Sequence, residues 1–204
     1  MSQAELARHP PRHRRPAGVL GNERLTAMTG VLLLIGFAIE GATVLEVQRL
    51  LLVHVIVGAL LIGPVLLKIV STGYRTARYY TGSLPYVRKG PPAPVLRVLG
   101  PLVILTSLAV LGTGIVLGVV GPGNAQWMFL HKASFILWFG VMTIHVLNYA
   151  PRLPRLLSAR PCDGGTAGVP GGSIRWLGLA VSLVAGIAIA VVAMHLSGKW
   201  GISG

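Results

Sequence analysis

Residues 50–71 read LLLVHVIVGALLIGPVLLKIVS. This run decides the fold. It is long enough for an α-helix, rising 1.5 Å per residue, to cross the ~30 Å hydrocarbon layer of a bilayer. His54 and Lys68 are its only ionisable residues. A membrane-crossing strand would be half as long and would alternate polar with apolar side chains, and this segment does not. Working outward, four more runs of similar length and composition lie at about 26–46, 98–120, 127–149 and 174–197. The expectation is an all-α, polytopic membrane helix bundle with five transmembrane helices, occupying residues 25–200.

Composition agrees. Of 204 residues, 53% are hydrophobic and 11% charged, against about 25% charged in an ordinary soluble domain. The net charge of +13 comes from 18 Lys+Arg against 5 Asp+Glu. These cations sit in short segments between apolar runs and share no solvated face. Anionic lipid headgroups are therefore the expected partner, and nucleic acid is not.

Their distribution sets the expected orientation. Arg8, Arg12, Arg14, Arg15 and Arg24 precede the first run. Arg75, Arg78, Arg88, Lys89 and Arg97 follow the second, and Arg152, Arg155, Arg160 and Arg175 follow the fourth. The opposite side holds only Arg49, Lys132 and Lys199. This alternation fits five spans, with the N-terminus cytoplasmic and the C-terminus external. Residues 1–24, rich in Arg, Pro and His, read as a disordered basic cytoplasmic tail. The 72–97 segment reads as a loop carrying basic and aromatic residues. The Gly- and Pro-rich 158–172 segment reads as a flexible linker.

Cys162 is the only cysteine, so an intrachain disulfide or an iron–sulfur cluster has no ligand set. No P-loop, GxSxG, HExxH or dinucleotide fingerprint is present, and no catalytic set emerges. Glu40 and Glu46 are the only acidic residues near the membrane, which gives little support to a carboxylate-based pump or transporter. Glu40 can pair with Arg49 or His54, or reach water, and water is the simplest reading.

Ionisable residues inside spans are costly and tend to be functional. His54 lies in the second span, His131 and His145 in the fourth, and His195 in the fifth. The second and fourth spans run in the same direction. His54 and His131 each follow the start of their run by four residues, so they share one depth near the outer face. Two imidazoles on facing helices can clamp one haem iron, each through one ring nitrogen. The other nitrogen needs an acceptor, which the sequence does not identify. His145 follows His131 by 14 residues, almost four full turns, so both project from one stripe about 21 Å apart. Lys68 follows His54 by the same interval.

This pattern resembles the membrane b-type cytochromes: the cytochrome b561-like, hydrogenase-cytochrome-b-like and ferric-reductase-like proteins. The likeness rests on His54 to Gly58 and Lys68 in the second span, and on His131 to Phe135 and His145 in the fourth. It covers about half the chain. The resemblance implies a bacterial plasma-membrane protein that transfers electrons through one or two haem b groups. It would act as an oxidoreductase or as the membrane subunit of one, with a separate redox partner protein. Carried over, His54 and His131 hold an outer haem. His145 holds an inner one, but Lys stands at position 68 where its partner imidazole is expected.

Lys68 otherwise snorkels to the inner headgroups, or meets a haem propionate, or ligates as a neutral amine. Arg75, Arg78 and Tyr79 could hold propionates or a quinone headgroup, or anchor to anionic lipid. His195 is a helix-end residue and the substitute ligand should the outer pair be misassigned. The alternative reading of the whole chain is a haem-free membrane anchor or assembly subunit.

Overall fold

The computed structural model describes residues 17–88, 90, 94–149 and 171–198. Every element among them is helical: α1 (Ala17–Leu45), α2 (Val47–Tyr80), α3 (Leu84–Val87), α4 (Pro94–Val120), α5 (Ala125–Tyr149) and α6 (Gly172–Ser197). Five of these, all but α3, are long and apolar enough to cross a membrane. Helices satisfy every backbone group within one segment, which is the condition a lipid solvent imposes. The chain is a multi-pass, all-α bundle. Within the expected tail, residues 17–24 are helical. The remainder of the tail, Lys89, most of the 158–172 linker and Lys199 lie outside the described residues.

The helices outrun the apolar runs. α2 continues past Ser71 to Tyr80, so the first part of the expected 72–97 loop is helix. No proline lies between Ser71 and Tyr80, the single Gly73 is tolerated, and the helix stops only before Gly82. There φ is +76°, Gly82 N–H donates to Tyr79 O (3.2 Å) and Ser83 N–H to Arg78 O (3.1 Å). This is the paired Schellman closure that a left-handed glycine permits. Beyond it, Tyr86 in α3 is buried and its ring meets that of Tyr74 edge-on at 6.1 Å. Burial, with Tyr74 beside it, pushes the Tyr86 phenol above its ordinary range.

α2 is the organising helix. It packs most extensively on α6, and then on α1, which it follows after a tight reversal at Glu46 to Leu50. At the α2–α6 crossing two glycines face two backbone carbonyls. A methyl group at Gly63 would overlap Ser182 O, and one at Gly186 would overlap Leu60 O. Pro64 lacks the N–H that would have bonded Leu60 O four residues earlier. The close approach of α6 at Gly186 therefore covers a carbonyl that the proline leaves unsatisfied. Small residues at such crossings let backbones meet where lipid supplies no hydrophobic drive.

α4 and α5 form a separate hairpin, in which the Trp138 indole N–H donates to Ser107 Oγ across 3.0 Å. The hairpin touches the α1–α2–α6 unit sparingly, and α5 makes no extended backbone packing with α2. The main described closure is aromatic, with Phe37 of α1 meeting Trp138 edge-on at 4.8 Å. Leu33, Leu61 and Val65 form the buried cluster beneath it.

Candidate functional site

The seam between the two units carries two matched stripes. On α2, residues at seven-residue intervals are His54, Leu61 and Lys68; on α5 they are His131, Trp138 and His145. Seven residues are nearly two full turns, so each set shares one helix face. Leu61 and Trp138 are buried, which turns both faces inward. They close the middle of the seam, and the ionisable residues stand above and below.

The upper pair is brought together as the spacing predicts. The ring centroids of His54 and His131 are 6.4 Å apart, with planes at 75°. Two imidazoles on opposite sides of one metal ion, each bonded at about 2.0–2.1 Å, hold their centroids about 6 Å apart.

Polar partners at Nδ1 favour one tautomer in both rings. His54 Nδ1 lies 3.0 Å from Glu40 Oε1 and 3.0 Å from Thr43 Oγ1, both on α1. Thr43 gives its one hydrogen to the Glu40 backbone carbonyl (2.6 Å), so toward the imidazole it can only accept. His131 Nδ1 lies 3.0 Å from Thr113 Oγ1 on α4. Thr113 likewise gives its hydrogen to its own helix, at Ala109 O (2.8 Å) or Val110 O (3.0 Å). With the hydroxyls donating to their own helices, each Nδ1 is set to donate, the tautomer that leaves a lone pair on Nε2. Neither Nε2 has a hydrogen-bond partner among the described residues, and neither is fully buried.

Two glycines make room for this arrangement. A Cβ at Gly114 would lie 3.2 Å from His131 Cε1, and one at Gly58 would lie 3.0 Å from Glu40 Oε1. Gly114 thus spaces the imidazole from α4. Its companion Gly118 meets nothing.

The lower pair differs. Lys68 does not snorkel free, because its ammonium donates to the Thr26 backbone carbonyl of α1, beside Gly30. His145 stacks on Tyr149 at 4.8 Å, and its Nδ1 is buried with no partner among the described residues. No second imidazole faces it.

Arg75, Arg78 and Tyr79 lie on the extension of α2, where Tyr79 meets Tyr80 edge-on at 5.3 Å. They are more than 20 residues from His54, about 30 Å along the helix, and do not join the upper pair. His195 is exposed and bonds Val191 O of its own helix (2.8 Å), away from the site. Glu40, expected to reach water, turns inward to His54 instead.

No family model, curated protein or solved structure matches this chain. The reading of the site rests on its geometry. Among the described residues no three His, Cys, Asp or Glu side chains cluster to hold a metal ion. A bare ion held by protein alone would want three or four such ligands. Two opposed imidazoles suit a metal that brings its own equatorial donors, as haem iron does.

Proposed function

We propose that this chain is a membrane-embedded b-type cytochrome, an electron-transfer protein that holds one haem b between His54 of α2 and His131 of α5. The observation that carries it is the meeting of the two imidazoles across the seam, 6.4 Å between ring centroids, with a polar partner already at each Nδ1. When bound, haem supplies a one-electron couple at an iron closed to other ligands. Glu40, Thr43 and Thr113 hold the two imidazoles in the ligating tautomer. Gly58 and Gly114 keep the rings and the carboxyl from being crowded, and Phe37, Leu61 and Trp138 exclude water below.

His145 with Lys68 marks the level where a second haem would sit, but only one imidazole is present, so the reading commits to one. Arg75, Arg78 and Tyr79 fit an anionic headgroup or a quinone at the basic end. The excess of cations there supports reading that end as the cytoplasmic one, in a bacterial plasma membrane. A separate redox partner protein fits this reading.

The test is a reduced-minus-oxidised visible spectrum of the purified chain, with haem quantified per polypeptide. One haem per chain, with a low-spin spectrum, is expected. A colourless preparation from haem-replete cells would end the reading and favour a haem-free anchor.

A further inference from the structure

Glu40 is a carboxyl set inside a transmembrane helix, where ionisable groups are expensive and tend to serve a function. Its Oε1 lies 3.0 Å from His54 Nδ1, while its Oε2 is buried without a partner among the described residues. No ion pair joins it to Arg49, which is exposed on the nearby turn. Gly58, one turn beyond His54, is what leaves it space. The two imidazoles are therefore held unequally. His54 has a carboxyl and a hydroxyl at its Nδ1, whereas His131 has the Thr113 hydroxyl there and no carboxyl beside it among the described residues.

A carboxyl that accepts the N–H of a metal-bound imidazole fixes the ring and raises its basicity as a ligand. A more basic ligand stabilises the ferric form over the ferrous. Resting on the reading of His54 and His131 as haem ligands, we infer that Glu40 is a positioning residue that sets the donor strength of His54 and so lowers the midpoint potential of the bound haem. Thr43 adds a weaker share through the same nitrogen.

Potentiometric titration of the full-length haem-loaded chain tests this, with Glu40→Gln and Gly58→Val as the variants. Glu40→Gln keeps the size of the side chain and weakens the acceptor. Gly58→Val keeps the carboxyl and displaces it. Both are expected to raise the midpoint potential above wild type and to shift the ferric low-spin EPR spectrum. Haem affinity should fall by about 10–100-fold, the usual effect of removing such a partner, with helicity by circular dichroism retained. In the wild-type chain, the reduced-minus-oxidised infrared difference spectrum should contain a carboxyl band that Glu40→Gln abolishes. That measurement stands even if Gly58→Val misfolds.

Haem-loaded Glu40→Gln with a wild-type potential and EPR spectrum would overturn the role of Glu40 and leave the cytochrome reading intact. An infrared difference spectrum without a carboxyl band would do the same. A wild-type chain that binds no haem would overturn both.

Discussion

α2 meets α6 and α5 in opposite ways. Against α6 it is packed to the backbone, with Gly63 and Gly186 each lying against a carbonyl of the other helix. Toward α5 it keeps its distance, and His54 and His131 span the gap with their rings 6.4 Å apart at the centroids. A helix in lipid gains little by burying apolar surface, so where it packs tightly small residues let the backbones touch. Where it holds off, something else must occupy the interval. The polar atoms at the seam fit that difference, because Nδ1 of each ring already has a polar partner on a neighbouring helix.

The largest expected effect breaks the tight side. Gly63→Val or Gly186→Val sets a side chain against a backbone carbonyl that cannot yield, at a cost at or above the upper end of the usual range of about 1–3 kcal/mol. Loss of the folded bundle should show as aggregation on size-exclusion chromatography. The seam should respond in the contrary way. His54→Ala and His131→Ala should each abolish the haem absorbance while the chain elutes as wild type with unchanged helicity, and a simultaneous loss of fold would erase the distinction between the two sides. A milder change, Thr113→Val, removes the acceptor of His131 Nδ1–H. Haem affinity should fall about tenfold, measured by haem retention on dilution. The smallest effect belongs to Lys68→Met, which deletes the bond to Thr26 O. It should cost about 1 kcal/mol, the scale of one interhelical hydrogen bond in a membrane, read by unfolding in mixed micelles, with haem content unaltered.

The five helices were legible because runs such as 50–71 carry a lipid-solvent signal that needs no tertiary information. The meeting of His54 and His131 was legible too, since depth and face follow from counting residues along two parallel helices. Their partners were not. Thr43 and Thr113 look like any threonine in a span, whose hydroxyl usually bonds its own helix. Both do so, and their second role depends on the rotation of α1 and α4 about their axes. Glu40 was misread for the same reason: position along α1 puts it near water, while rotation turns it toward His54. The helical extension to Tyr80 escaped notice because a run of Tyr, Arg and Thr carries no apolar period.

The order of the helices along the chain gives the α2–α6 crossing a temporal meaning. Roughly 120 residues separate Gly63 from Gly186, so a ribosome needs on the order of 10 s to bring the second into existence after the first. Throughout that interval the α4–α5 hairpin is already being laid into the membrane beside a nascent α2 whose other flank is still bare. If His54 holds the proposed haem, its capture can begin on a half-built protein, before α6 arrives to pack against α2.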